Sequence, residues 1–316
     1  MGELMVDMVA RTGTNEEIDG FDMKAGGAAA NVAVAIARMD GAAGILAKVS
    51  GDFFGETLKR TMDENRVDTN GLIMDSQRKI GMAFITFDAE RKPNYLFYRE
   101  NTASASLCAA DINPNLFEDE RALYFSSMGL IGEPTRSATY QAAQYARQNG
   151  ARVAFDPNIR FGLWPSGETA KQEILKMFAF VNICKMNDDE LHFLFGEGEV
   201  EKKTKEVMQK YPGLEILAVT LGKDGAVLLN RNLDCVTVRP LDTEVVDTVG
   251  AGDSFFAALL VRAMLYDFQL DSPERLNETL EYANAAALLT AKRVGAIPAM
   301  PCMDEVEEIR AMYRRA

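Results

Sequence analysis

Val245-Val246-Asp247-Thr248-Val249-Gly250-Ala251-Gly252-Asp253 is the stretch from which the fold can be read. Two valines lead into a turn of small residues. The turn opens a run, Phe255-Phe256-Ala257-Ala258-Leu259-Leu260-Val261, that is apolar almost all round. A helix of that pattern, expected over 252–266, must be buried on every side and so lies between layers of other structure. The amides of Gly250, Ala251 and Gly252 at its start lack intrahelical partners and have no bulky side chain in front of them. With the helix dipole behind them they form a candidate anion site. Asp253 stands in the first turn beside it. A carboxylate in that place either caps the helix, contributing about 1 kcal/mol, or takes a proton from a hydroxyl attacking a phosphoryl group held by the amides.

Outward from this helix, apolar runs alternate with helical periods. Strands are expected at 4–9, 44–49, 122–126, 152–156, 180–184 and 216–220. Helices are expected at 29–39, after Asp52, and at 134–148, 167–177, 187–195, 201–210, 274–292 and 304–314. Strand–helix alternation implies an α/β fold, a mainly parallel sheet covered by helices on both faces. With no repeat and no long linker, residues 1–316 are expected to form a single domain. One segment breaks the rhythm. Residues 81–87 and 94–99 read as a hairpin whose two faces are both apolar, Met82 and Phe84 on one and Ile85 and Phe87 on the other. Such a hairpin is either an ordinary buried one or a small β lid, formed by segments about 10–24 and 76–105. In the lid reading its inner face closes a cleft and its outer face meets a second subunit in a homodimer.

Composition excludes several classes of function. Apolar residues make up 47%, charged residues 26%, and the formal charge is −13. That balance excludes binding of nucleic acid or an anionic membrane through the bulk surface. No apolar run approaches the roughly 18 residues of a membrane span, and no signal sequence stands at the amino end. Cys108, Cys184, Cys235 and Cys302 are far apart and form no C-x-x-C pair, which suits reduced thiols in a cytoplasmic protein. The single histidine, His192, sits among Leu191, Phe193 and Leu194 and reads as structural. Its isolation leaves no Ser-His-Asp triad and no multi-histidine metal site.

A second glycine cluster, Ala25-Gly26-Gly27-Ala28-Ala29-Ala30-Asn31, also opens a helix. It is neither a P-loop nor a dinucleotide fingerprint. Two adjacent glycines let a ligand approach the backbone, and Asn31 offers a donor and an acceptor, as a pair of sugar hydroxyls requires.

The glycine pair followed by asparagine, together with Asp-Thr-x-Gly-Ala-Gly-Asp near the carboxyl end, resembles the ribokinase-like (PfkB-type) carbohydrate kinases along essentially the whole chain. Asp156-Pro157-Asn158-Ile159-Arg160, then Leu163-Trp164-Pro165-Ser166, and Gly295-Ala296-Ile297-Pro298-Ala299-Met300-Pro301 are similar to the fructokinase branch. The resemblance implies a ribokinase-like fold and transfer of the γ-phosphoryl of ATP to a primary hydroxyl of a sugar, fructose to fructose 6-phosphate. It makes Asp253 the catalytic base and Gly250, Ala251 and Gly252 the anion hole. Asp7, Gly26, Gly27 and Asn31 become sugar-binding residues, and Arg160 the cation reaching toward substrate or phosphate. Asn187 and Glu190 match the family's N-x-x-E element, with Glu190 holding Mg2+ through water. Thr220, Gly222 and Gly225 match the nucleotide loop, and Asn284 falls where the adenine pocket is lined. Asp247 is the candidate for a monovalent cation such as K+ near the anion hole.

Two alternatives stand beside fructokinase: a 2-keto-3-deoxygluconate kinase, whose acid substrate pairs with Arg160, and a sugar-binding relative without turnover. The chain also departs from the pattern. Family members carry several apolar residues before Gly2-Glu3, so the first strand is expected to be clipped and less stable. At Asn101-Thr102-Ala103-Ser104-Ala105-Ser106 the usual proline and aspartate are missing, next to the lid. Ala29 stands where a proline is common, and a helix start accepts either.

Overall fold

The computed structural model describes residues 1–12, 17–88 and 93–313. β1 (Met5–Thr12) and β2 (Ile18–Gly26) lead into α1 (Ala28–Arg38). β3 (Ala47–Ser50), α2 (Phe53–Glu64) and β4 (Leu72–Asp75) follow, then β5 (Met82–Phe87) and β6 (Pro93–Tyr98). From β7 (Ala122–Ser126) the chain alternates through α3 (Thr135–Gln148), β8 (Arg152–Asp156), α4 (Gly167–Met177), β9 (Ile183–Asn187), α5 (Asp188–Phe195), α6 (Val200–Lys210) and β10 (Ile216–Thr220). β11 (Ala226–Asn230), β12 (Cys235–Val238), α7 (Ala251–Leu265), α8 (Pro273–Ala291) and α9 (Met303–Tyr313) complete it.

The main sheet has six strands in the order β12-β11-β10-β9-β8-β7. Its β7–β10 part is parallel, while β10, β11 and β12 pair antiparallel. Side chains alternate across it as strand geometry requires. Tyr124, Ala154 and Ala218 pack with α1, α7 and α8 on one face. Leu123, Phe125, Val153, Phe155, Leu217 and Val219 pack with α3 to α6 on the other. The expectation of a sheet covered on both sides is met, and α7 is buried along nearly its whole length.

Three details differ from the sequence reading. First, residues 4–9 do not join the alternation. β1 pairs with β2 and with β5, so the small sheet, β2-β1-β5-β6, takes in this strand along its whole length. Second, the strand expected at 180–184 begins three residues later. Asn182 sets the start: its backbone amide bonds Val153 O at 2.9 Å and its side chain accepts from Val153 N at 3.0 Å. Phe180 remains outside the sheet, edge-on to Tyr140. Third, β2, β4, β11 and β12 were not expected; β3 and β4 form a separate parallel pair.

The alternation expected for the hairpin is observed. Asp7 stands opposite Ala83, Val9 opposite Ile85, and Ile85 opposite Tyr95, so these residues share one face. Met8, Phe84 and Leu96 share the other.

Phe256 tests the central helix. It is fully buried and meets Tyr124 edge-on, with ring centroids 5.5 Å apart. Phe256→Ala should destabilise the protein by about 3–5 kcal/mol, read as a lower urea midpoint at pH 7.

Candidate active site

Parallel strands deliver their last residues to one rim, the usual place for a site in an α/β sheet. Asp156, Asn187 and Thr220 end β8, β9 and β10, and in the ladder Ser126 faces Asp156 and Asn187 faces Thr220. The small sheet brings Asp7 to this rim. Its carboxylate lies so close to Gly26 that a Cβ there would overlap it. Gly27 has φ of +106°, and a Cβ on it would strike Glu3 O. Only glycine fits at these positions, and the turn they form starts α1.

Asn31, in the first turn of α1, donates from Nδ2 to Asp253 Oδ2 at 2.7 Å. Its Oδ1 is buried and has no partner among the described residues. Asp253 is buried in the first turn of α7, behind Gly250, whose φ of +81° gives the left-handed turn. The candidate anion site differs from expectation in one member. The Ala251 amide donates to Thr248 O at 3.2 Å and closes the turn. The amides of Gly250, Gly252 and Asp253 donate to no partner among the described residues.

Burial dominates the electrostatics. Burial pushes Asp253 up to about 6; the Asn31 hydrogen bond opposes this, Asp156 adds to it, and Lys185 and Arg160 pull back. Burial, reinforced by the charge of Asp253, pushes Asp7 up to about 7, with Arg160 opposing. Arg160 forms no ion pair among the described residues; its guanidinium lies 5.5 Å from the centre of the Tyr95 ring, on the inner face of the small sheet.

Sequence reasoning missed Lys185. It lies buried on β9 with Nζ 3.0 Å from Asp156 Oδ2. A Cβ on Gly252 would come within 3.0 Å of the same nitrogen, so the ammonium stands against the glycine turn. Burial works against its charge, but Asp156, Glu190 and Asp253 outweigh it and hold the ammonium above its usual range. A signal was present: a lone cation inside the strand Ile183-Cys184-Lys185-Met186, where burial leaves lysine rare unless paired.

Asn187 and Glu190 form a capping box. Asn187 Oδ1 accepts from Glu190 N at 2.7 Å, and Glu190 Oε2 accepts from Asn187 N at 3.0 Å. Glu190 Oε1 accepts from Ile159 N at 2.7 Å and so fixes the loop that carries Arg160. Burial, then the charge of Asp156, raises Glu190, while Lys185 opposes. Both oxygens of Asp247 are also engaged, with Val249 N at 3.0 Å and Gly295 N at 2.8 Å. That second bond ties the stretch 295–301 to the glycine turn. Thr220, Gly222 and Gly225 lie at the β10–β11 turn, and Asn284 donates to Val238 O at 3.0 Å. Gly225 packs against the same carbonyl, so these form a second group around the end of β12. His192 bonds Gly198 O at 3.0 Å, in keeping with a structural role. The segment 101–106 borders the small sheet, with Ala103 N bonded to Lys79 O at 2.8 Å.

Asp7 titrates near 7 in the fold against an ordinary 3.8. The folded state therefore holds this proton more tightly, and stability declines as pH rises from about 4 through 7. Asp7→Asn should raise Tm at pH 8 and leave it nearly unchanged at pH 4, measured by thermal unfolding at both.

Comparisons with known proteins match the chain along nearly its whole length. Residues 1–303 match the model of the pfkB family of carbohydrate kinases. Fructokinase-1 of Oryza sativa subsp. japonica is 36% identical over 314 residues, 98% of this chain and 96% of that protein. The crystal structure of a fructokinase with bound ATP from Xylella fastidiosa superposes with a TM-score of 0.88 at 27% identity, covering 99% of this chain and 97% of that one. A fructokinase double mutant from Vibrio cholerae O395, in a fructose-, ADP- and potassium-bound form, gives a TM-score of 0.86 at 26% identity over 98% and 96%. With both glycine turns, Asn31 and Asp253 gathered at one rim, the chain belongs to the pfkB family of carbohydrate kinases.

Proposed function

We propose that the protein transfers the γ-phosphoryl group of ATP to a primary hydroxyl of fructose, giving fructose 6-phosphate. The observation that carries this reading is the Asn31–Asp253 hydrogen bond, 2.7 Å long, at the mouth of a helix where the amides of Gly250, Gly252 and Asp253 have no partner among the described residues. One element binds sugar hydroxyls, the other an anion, and the carboxylate lies between them.

The sugar lies between the inner face of the small sheet and the starts of α1 and α7. Asp7 and the unpartnered Oδ1 of Asn31 accept from its hydroxyls, and Arg160 bounds the pocket. The hydroxyl oxygen attacks the γ-phosphorus in line, the bond to the ADP oxygen breaks, and the hydroxyl proton passes to Asp253. The amides of Gly250, Gly252 and Asp253, with Lys185, stabilise charge on the transferring group. Proton transfer comes late because the transition state is loose. The small sheet acts as a lid, with Ala83, Ile85 and Tyr95 excluding water that would otherwise accept the phosphoryl group.

Mg2+, bound with ATP, would supply charge neutralisation. Among the described residues no group of three acidic, histidine or cysteine side chains gathers to hold a metal. Mg2+ bound with ATP would keep phosphate oxygens and water as ligands, as it favours. Glu190, which already accepts two backbone amides, would hold it through water. Asp247, accepting two amides, shapes the loop for a monovalent cation such as K+. Four unpaired thiols suit a cytoplasmic location. No helix among the described residues is long and apolar enough to cross a membrane.

A coupled ADP-release assay with fructose, ribose, 2-keto-3-deoxygluconate and adenosine tests the substrate; turnover with fructose is expected, and absence of turnover with all four refutes the reading. Asp253→Asn should lower kcat by at least ~10²-fold with little change in KM. Because Asp253 must be ionised and titrates at about 6, kcat/KM should fall as pH drops below 6. In Asn31→Ala that limb should move to higher pH, since a bond favouring the carboxylate is gone.

The outer face of the lid supports a homodimer. Leu96 and Tyr98 are 58% and 60% exposed, and Phe84 packs edge-on against both Phe21 and Tyr98. Sedimentation should give a dimer, and Leu96→Asp a monomer.

A further inference from the structure

The two strands of the lid leave the body of the protein at one place. Gly81, just before β5, accepts at its carbonyl from Val6 N at 3.0 Å, and Arg99, just after β6, forms a buried ion pair with Glu3. Arg99 Nε donates to Glu3 Oε1 at 3.1 Å, and its Nη2 donates to the same oxygen. Ala103 N, bonded to Lys79 O at 2.8 Å, joins the two feet of the hairpin. Glu3 also meets the sugar turn. Its carbonyl oxygen is the atom that a Cβ on Gly27 would strike, at 2.2 Å. One residue thus touches the turn that starts α1 through its backbone and the foot of β6 through its side chain.

The stretch 101–106, which lacks the expected proline and aspartate, closes over this foot. Thr102 donates to Arg99 O from its amide at 3.3 Å and from Oγ1 at 2.7 Å, and its Oγ1 lies 3.3 Å from Ser104 Oγ. Thr102, Ala103 and Ser104 are buried. A Cβ on Gly81 would come within 3.1 Å of Ser104 Oγ and 3.5 Å of Thr102 Oγ1, so both feet sit under the same two hydroxyls.

Packing does not hold the Arg99 side chain on every side. A cavity of about 630 Å³ borders it, lined also by Lys48, Asn101, Ala105 and Ser106. Glu3 Oε2 is buried with no partner among the described residues. Such a pair adds little to stability, since apolar groups of similar size often do as well. What it supplies is direction, because two nitrogens of a planar guanidinium fix on one oxygen. Tyr95, beside Arg160 on the inner face, stands four residues before Arg99, roughly 13 Å along an extended strand. A tilt of about 5° at the foot moves Tyr95 by about 1 Å, enough to disturb the placement of a bound substrate.

We propose that Glu3 and Arg99 are positioning residues for the transfer reaction: their ion pair anchors the foot of the lid to the sugar turn and sets how closely the inner face covers the sugar. The proposal rests on the phosphotransfer reading. It assigns proton transfer to Asp253, and makes retention of the sugar and exclusion of water depend on a pair that acts through the lid.

Glu3→Gln keeps the shape of the side chain and removes its charge; Arg99→Lys keeps the charge and removes the fork. Each should raise KM for fructose roughly tenfold with kcat within about threefold of the unaltered protein. ADP released per fructose 6-phosphate formed should rise above one, as water reaches the γ-phosphoryl group. A wholly structural pair would lower Tm and the active fraction while KM and that ratio stayed as in the unaltered protein, and this result in both variants overturns the proposal. Amide hydrogen exchange without ligands should be faster at 82–87 and 94–98 in both variants and unchanged at 152–156. Unchanged exchange in the lid overturns the anchor, whether or not the unaltered protein phosphorylates a sugar; absence of turnover in the unaltered protein refutes the phosphotransfer reading instead. If either variant fails to fold, Glu3→Asp, which keeps the charge and shortens its reach, carries the same readouts.

Discussion

A single buried hydrogen bond, Asn31 to Asp253, joins positions 222 residues apart in the chain. α1 and α7 pack in one core cluster, and both carry small buried residues that suit a close approach: Ala30, Ala33 and Ala37 on one, Ala257 and Ala258 on the other. A bond to a charged group is worth about 1.5–3 kcal/mol, and this one also fixes geometry. It holds the carboxylate at the helix mouth while leaving the second oxygen of the asparagine amide unmatched. The starts of α1 and α7, the proposed sugar and phosphate sides of the site, are thus registered against each other by one contact. Changing the packing of either helix would displace both.

The charges around this bond do not balance among themselves. Asp7, Asp156 and Asp253 stand against Lys185 and Arg160, and burial raises Asp7 and Asp253 into the neutral range. A buried ion pair such as Lys185–Asp156 is weak evidence for stability, since apolar replacement is often neutral or better. The arrangement fits a different purpose. In the proposed reaction, a phosphoryl group arriving at the free amides would meet an ammonium whose charge is already secured, and a neighbouring carboxylate whose affinity for a proton exceeds that of an exposed one. Stability is given up where charge must later be handled.

Much of this was legible in the sequence because the decisive residues are contiguous. The turn Gly250-Ala251-Gly252-Asp253 and the cluster Gly26-Gly27 state their backbone requirements locally, and the strands Ala122–Ser126, Arg152–Asp156 and Ile216–Thr220 match the expected spans. What was not legible depended on distant partners. The start of β9 is set by Asn182 bonding to Val153, which no local pattern reports. The Ala251 amide is withdrawn from the anion hole by Thr248, a turn geometry that small residues permit without specifying. β11 and β12 are short and separated by a polar turn, so their pairing became visible only as a ladder. The placement of β1 in the small sheet likewise reflects which edge was available to it.

A cavity of about 580 Å³ beside β7, at the edge of the main sheet, shares its walls with the site. Asn31 and the cavity-lining Ala33 and Ile36 lie on α1; Asp253 and the cavity-lining Leu260 and Met264 lie on α7. From Asn31 to Ile36 the helix rises only about 7.5 Å. An empty apolar volume beside these helices removes contacts from one side of each, and dispersion forces fall steeply with a small gap. The precision of the Asn31–Asp253 contact therefore depends on how well the sheet beneath the two helices is filled. In this fold a packing defect at the sheet edge and a loss of order at the rim are the same physical event, transmitted through two rigid helices over about three turns or fewer.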